Sequence, residues 1–305
     1  MKIVVSGASG FIGRRLLQSL AAEGHQLHVL SRRAGANLPA GLGVSVWDPL
    51  EGEPPAESLR GQDAVIHLAG ENVAQRWTAG AKRRILESRV LGTRRLAAAL
   101  SRLPQRPATL ICASAVGYYG SRGNEILTES SAPGSGFLAE VCAAWENEAQ
   151  AVESLGMRVV RVRIGVVLGV PGGALARMLT PFRMGVGGRL GDGRQWMSWI
   201  HLDDLVALVR FALDHPLQGP VNGTTPQAAT NDEFTRALAG ALDRKARFPV
   251  PAAALRLLFG EMAEVLLGSQ RVAPRAAQAA GFEFRFPMLK AALEDLLGPK
   301  RAPVA

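Results

Sequence analysis

Apolar residues recur along the chain in two alternating rhythms. Residues 2–6 (Lys2-Ile3-Val4-Val5-Ser6) form a short apolar run that ends in glycine, the pattern of a strand buried on both faces. Residues 11–22 then repeat at helical spacing, with Phe11, Ile12, Leu16, Leu17 and Leu20 on the apolar side. The same reading predicts strands at 26–30, 63–68 (introduced by Gly61), 109–114 and 158–165. It predicts helices at 77–100, with an interruption near Gly92, and at 137–155. Strands alternating with helices imply right-handed βαβ units and a parallel sheet covered on both faces, a doubly wound Rossmann α/β fold.

After about Leu168 the rhythm loosens. Glycines crowd 185–193, a helix is expected at 203–212 and a short strand at 220–224. From Asn231 onward the chain reads as Ala/Leu-rich helix broken by Pro249 and Pro251. No internal repeat or low-complexity segment stands out.

Composition changes this picture little. A chain of 305 residues, 48% hydrophobic and 20% charged, has the balance of an ordinary globular protein with ample core. The formal net charge of +9 comes mostly from scattered arginines, with short clusters at Lys82-Arg83-Arg84 and Arg94-Arg95. Aromatic residues make up only 6%, without the basic-aromatic interleaving of a single-strand binder, so no nucleic-acid partner is expected. No stretch of about 18 apolar residues is present, so no membrane partner is expected either. The strand-like start implies no signal peptide. Cys112 and Cys142 have neither disulfide-framework nor metal-ligand spacing, and the expected location is cytoplasmic.

The candidate chemistry begins at Gly7-Ala8-Ser9-Gly10-Phe11-Ile12-Gly13, between the first strand and the first helix. In that context the first glycine allows a tight turn, the second lets backbone approach a diphosphate, and the third lets helix and strand pack closely. The helix N-terminus then offers free N–H groups to the anion. Dinucleotide binding follows, with Gly7, Ser9, Gly10, Phe11, Ile12 and Gly13 as cofactor-binding residues. At the end of the second strand the acid typical of NAD-binding folds is missing, and Ser31-Arg32-Arg33 stands there. Two guanidinium groups suit a 2′-phosphate, which points to NADP(H). Trp47-Asp48-Pro49, after a third strand, falls where a side chain often meets the adenine. Leu68, Ala69 and Gly70 would run past the ribose, whereas His67 reads as a packed strand residue. The expected division is a cofactor domain at 1–168, rejoined by 200–225. A smaller, mostly helical substrate-side lobe would take 169–199 and 226–305.

These residues resemble the extended short-chain dehydrogenase/reductases, the group of sugar-nucleotide epimerases and dehydratases. The carriers are the glycine loop, His67-Leu68-Ala69-Gly70, Val116-Gly117-Tyr118-Tyr119-Gly120, and Trp199-Ile200-His201-Leu202-Asp203-Asp204. Nearly the whole chain is similar to a narrower subgroup, the "epimerase family" of NADP-binding proteins with a short C-terminal domain of unknown function. Its marks include Leu68-Ala69-Gly70-Glu71-Asn72, Gly136-Phe137-Leu138-Ala139-Glu140 with Trp145-Glu146, 163–169, and Gln195-Trp196.

The resemblance implies a Tyr and a Lys four residues apart on a helix, with a hydroxyl residue nearby, as the proton relay. Ser114 ends the strand that supplies the hydroxyl, although the usual position falls on Ala115. If Glu146 matches the glutamate after the relay lysine, lysine becomes Cys142 and tyrosine becomes Leu138. A shift of one residue gives Phe137 and Val141. No Tyr-x-x-x-Lys occurs anywhere, the two tyrosines being Tyr118 and Tyr119.

Three readings stay open. Tyr119 or Tyr118, with Ser114 nearby and charge from Arg163 or His201, would pass a proton. Alternatively Glu140 would act as acid/base if burial raised its pKa, or the protein only binds. His201 reads more simply as a residue that organises a helix start. Arg89 takes the place where relatives carry Asn. Arg183, Arg189 and Arg194 around the 185–193 loop would recognise an anionic small-molecule substrate, with Trp196 and Trp199 available to stack. The function expected is an NADP(H)-dependent oxidoreductase or epimerase-like enzyme, the alternative being a non-catalytic NADP(H) sensor or assembly factor. Relatives that dimerise use helices flanking the sheet, which makes 77–100 and 137–155 the candidate segments of a homodimer.

Overall fold

A computed structural model describes residues 1–34, 38–39 and 41–298, so the end of the expected C-terminal lobe, 299–305, lies outside the described residues. The N-terminal half runs β1 (Lys2–Ser6), α1 (Phe11–Ala22), β2 (Gln26–Ser31), β3 (Gly43–Val46), α2 (Ala56–Leu59), β4 (Ala64–His67), α3 (Ala79–Ser101) and β5 (Thr109–Ala115). After a 3₁₀ turn at Val116–Tyr119 come β6 (Ile126–Leu127), α4 (Phe137–Gln150), β7 (Arg158–Ile164), β8 (Val166–Leu168) and α5 (Gly173–Arg183). The remainder is β9 (Trp196–Met197), β10 (Trp199–His201), α6 (Leu202–Asp214), β11 (Gly219–Gly223), β12 (Ala229–Thr230), α7 (Asn231–Ala241), α8 (Ala252–Phe259), α9 (Ala263–Leu267), β13 (Arg271–Val272), α10 (Arg275–Ala279) and α11 (Leu289–Leu297).

Seven strands form one parallel sheet in the order β11-β7-β5-β4-β1-β2-β3. Strand order reverses at β1, where the chain winds outward first to β3 and then, from β4, the other way. Successive side chains of a strand point to opposite faces, and both faces here are apolar. Ile3 and Val5 pack with Leu16, Leu17 and Leu20 of α1 and with Leu205 and Leu208 of α6. Val4 and Val65 face the other way, onto Leu96 and Leu100 of α3 and Trp145 and Ala149 of α4. Each such fully buried aliphatic side chain contributes on the order of 1.5–3 kcal/mol. A third cluster joins Leu175, Leu179 and Phe182 of α5 to Trp199, to Phe234 and Leu238 of α7, and to Leu293 of α11.

Two expectations need correction. The helix predicted at 77–100 is continuous through Gly92, because the missing side chain leaves room for Pro49, whose Cβ would lie 2.9 Å from a β-carbon there. The helix predicted over 137–155 ends at Gln150 and tightens into a 3₁₀ turn at Ala151–Leu155.

The C-terminal segments are tied back into the sheet. Asn222 of β11 donates from Nδ2 to the Ala273 carbonyl at 2.9 Å, and Ala276 N donates to Glu129 Oε1 at 3.1 Å. Asp204 accepts from Arg285 N and Phe286 N at 3.0 and 2.9 Å, and α10 packs on the edge strand β11.

Candidate dinucleotide-binding cleft

The C-terminal ends of β1 to β4 surround a cleft of about 600 Å³. It lies where the strand order reverses, the place where open α/β sheets bind ligands. Gly7, Ser9 and Gly10 form its floor, Ser31, Arg32 and Arg33 one wall, and Leu68, Ala69 and Gly70 the opposite side.

Gly7 has φ +71°, and a β-carbon there would stand 2.7 Å from the carbonyl carbon of Leu68. Only glycine leaves this floor open. Gly13 has no room either, since a β-carbon would lie 2.7 Å from Ala8 Cα and closer still to the Gly7 carbonyl oxygen. Its absence lets α1 sit against the end of β1. Gly10 caps α1 without a side-chain hydrogen bond, so the first-turn N–H groups keep their donor capacity for an anion. The cradle therefore suits a dinucleotide diphosphate. Phe11, Ile12 and Gly13, expected at the cofactor, do not line the cleft, and the Phe11 ring lies against the backbone at Gly169, Gly172 and Gly173.

Arg32 and Arg33 are exposed at the cleft, and the sequence directly after β2 (Arg32-Arg33-Ala34) carries no acid. Trp47 and Asp48 line the same end. Asp48 Oδ1 accepts from Leu50 N at 2.8 Å, and Trp47 Nε1 donates to the Gly52 carbonyl at 2.9 Å. Glu71, Arg84 and Ser88 also line the cleft, and none of the three was expected as a cofactor residue. Ser88 had a signal: it is a polar residue on the inward stripe Ala81, Ile85, Ser88, Gly92 of α3, and its Oγ accepts from Glu71 N at 3.0 Å.

The expected catalytic residues are placed elsewhere. Tyr119 is completely buried, its hydroxyl donating to Asn222 Oδ1 at 2.7 Å and accepting from Arg163 NH1 at 2.9 Å. Burial pushes its pKa up to about 12 against the pull of Arg163. Ser114 is buried too and donates to Glu146 Oε1 at 2.7 Å. Tyr118 is half-buried with the Arg163 guanidinium 3.5 Å from its ring centroid. None of the three lines the cleft.

Arg163 itself forks onto Glu146, Nε to Oε1 at 2.7 Å and NH2 to Oε2 at 2.8 Å. Burial alone would lower its pKa, but hydrogen bonding and charge from Glu146 raise it overall. Glu140 is exposed, so the burial that would make it an acid/base is missing. His201 caps α6, its Nδ1 accepting from Asp203 N at 3.1 Å. Trp199 belongs to the core and cannot stack on a ligand. Trp196 is half-buried under Arg271, and Arg183, Arg189 and Arg194 are exposed.

His67 is the buried histidine of β4, with Nδ1 2.6 Å from Ser6 Oγ. Burial pushes its pKa down from 6.5 to about 4. Between those values the unfolded chain binds the extra proton, so the stabilisation from neutral His67 is complete above pH 6.5 and is lost as pH falls toward 4. The loss should amount to about 3 kcal/mol. Urea midpoints measured across that window should fall steeply, and His67→Gln should flatten the slope. An unaltered slope in the variant would reject this origin.

The fold and cleft define a dinucleotide-binding protein of the Rossmann type. Residues 3–225 match the model of the NAD dependent epimerase/dehydratase family, and residues 250–296 match a domain of unknown function, DUF1731. The chain belongs to the NAD dependent epimerase/dehydratase family and carries the DUF1731 domain behind it. It is 41% identical to the chloroplastic epimerase family protein SDR39U1 homolog of Arabidopsis thaliana, over 97% of this chain and 87% of that one. It is 36% identical to the epimerase family protein YfhF of Bacillus subtilis, over 99% of each. Among solved structures, that of the human epimerase family protein SDR39U1 with NADPH superposes with a TM-score of 0.87 at 37% identity. It covers 97% of this chain and 99% of the human one.

Proposed function

We propose that the protein is an NADP(H)-dependent oxidoreductase of the extended short-chain type that acts on a small anionic substrate without a Tyr-x-x-x-Lys pair. The observation that carries this reading is the pair Arg32 and Arg33 at the β2 end of the cleft, where an acid would serve NAD. The human relative, solved with NADPH, supports the same form of the cofactor. When bound, the nicotinamide supplies or takes up a hydride. The chain's own groups bind and orient it: first-turn N–H groups of α1 meet the diphosphate, and Arg32 and Arg33 pair with the 2′-phosphate. Trp47 and Asp48 bound the adenine end. The exposed Arg183, Arg189 and Arg194 support an anionic substrate.

The test is titration with NADPH and NADH, repeated on Arg32→Ala. NADPH affinity should fall on the order of ten- to a hundredfold in the variant, the worth of a charged hydrogen bond, with NADH affinity unchanged. Equal losses for both would remove Arg32 from 2′-phosphate recognition, and no binding of either would overturn the reading. A substrate screen following NADPH oxidation then separates a catalyst from a pure binder.

A further inference from the structure

Next to Gly70, on the β4 and α3 side of the cleft, stands a second cation besides the exposed Arg84, one that does not itself line the cleft. The guanidinium of Arg89 abuts Gly70, a cleft residue, with its carbon and both terminal nitrogens 3.1–3.3 Å from where a β-carbon would stand. The group is held in place. NH1 donates to the carbonyls of Glu71 (3.0 Å) and Ile85 (3.1 Å), and the guanidinium lies 5.1 Å from the Trp145 ring centroid of α4. Two hydrogen bonds and an aromatic platform fix a side chain that would otherwise sample many rotamers.

Its charge has no counter-ion within 4 Å among the described residues. The Glu71 hydrogen bond is through backbone oxygen, while the Glu71 carboxylate, which accepts from Gln75 Nε2 at 3.1 Å, favours the charged guanidinium without forming an ion pair with it. Glu146, nearby on α4, is engaged by Arg163. Cys142 faces Arg89 but stays a neutral thiol, since burial pushes its pKa up to about 11 despite the guanidinium. Arg89 is lowered by the same burial, yet an arginine stays charged at neutral pH.

In a sheet of two mononucleotide-binding halves, the half built on β1 to β3 takes the adenosine side and the half that begins at β4 takes the other. Arg32, Arg33, Trp47 and Asp48 lie in the first half, whereas Gly70 and Arg89 lie in the second. The two redox forms of the dinucleotide differ there by one charge: the oxidised ring is cationic and the reduced ring neutral. Every phosphate interaction is common to both.

Resting on the dinucleotide reading above, we infer that Arg89 is a fixed cation of the nicotinamide half that biases the cleft toward NADPH over NADP+. A fixed guanidinium on that side of the cleft would oppose only the oxidised form of a bound ring, and in a partly desolvated cleft that repulsion would be worth on the order of tenfold in affinity or more.

The experiment is calorimetric titration of the whole protein with NADPH and with NADP+ at one pH and ionic strength, on the native chain, Arg89→Lys and Arg89→Met. The native chain should bind NADPH at least about tenfold more tightly, Arg89→Lys should retain the preference, and Arg89→Met should lose it. Equal affinities in the native chain would overturn the inference without any variant, which covers the case of Arg89→Met failing to fold. An unchanged ratio with both affinities weakened in Arg89→Met would also overturn it, reducing Arg89 to a backbone clamp. Absence of binding by either form would instead sink the dinucleotide reading itself.

Discussion

Glu146→Ala is expected to destabilise the protein by about 3–5 kcal/mol, the cost of leaving a buried charge without its partner. Glu146 and Arg163 are 6% and 3% exposed, so water cannot replace the lost carboxylate. Three other groups lose by the same change: Ser114 loses the acceptor of its hydroxyl, Arg161 loses a carboxylate 4.0 Å away, and Tyr119 loses the guanidinium position that holds its oxygen. These residues join the C-terminal ends of β5 and β7, so the loss should be cooperative. The readout is the denaturant midpoint at constant m-value. Replacing both partners with apolar residues (Glu146→Leu with Arg163→Met) should cost less than the two single changes added, because no charge is then stranded. A single-variant loss below about 1 kcal/mol would show that Arg163 finds another partner.

Gly13→Ala should weaken NADPH binding on the order of a hundredfold, with about 1–3 kcal/mol of lost stability from overpacking. The added carbon would press on the backbone of Gly7 and Ala8, which has no rotamer to yield, so α1 must tilt away from β1. That tilt carries the helix N-terminus off the diphosphate. Gly24→Ala provides the comparison. Unlike Gly13 it has positive φ (+77°), but it meets nothing within 4 Å, and the change should cost about 1 kcal/mol in stability without touching affinity. Normal NADPH affinity in Gly13→Ala would show that the turn can re-form around a side chain.

The parts of the molecule legible in the sequence are those specified by neighbours in sequence. Lys2–Ser6, the turn to Gly13 and Phe11–Ala22 follow from local apolar spacing and from glycines at fixed offsets, and the structure brings that turn to one cleft with Ser31, Arg32 and Arg33. Tyr119 was illegible because its surroundings come from far away: Asn222 is 103 residues on and Arg163 is 44. No periodicity around Tyr119 could show that its hydroxyl is consumed by the core. Trp199 is the same case, an aromatic residue in a polar-looking stretch whose neighbours, Phe234 and Leu293, lie on later helices. Gly92 misled for the opposite reason. Its local meaning, a weak point in a helix, was overruled by a close approach of Pro49 that only the assembled fold supplies.

The ties from the C-terminal segments to the sheet have a consequence for synthesis. While the ribosome has delivered only the first 270 or so residues, β11 lacks the covering of α10, and Asn222, Glu129 and Asp204 still wait for Ala273, Ala276 and Phe286. The dinucleotide-binding half thus cannot complete its far edge as it emerges, but closes only once the segment from Ala273 to Phe286 has left the tunnel. Chains cut short of residue 273 would leave Asn222 Nδ2 and Glu129 without Ala273 and Ala276 and β11 without the packing of α10.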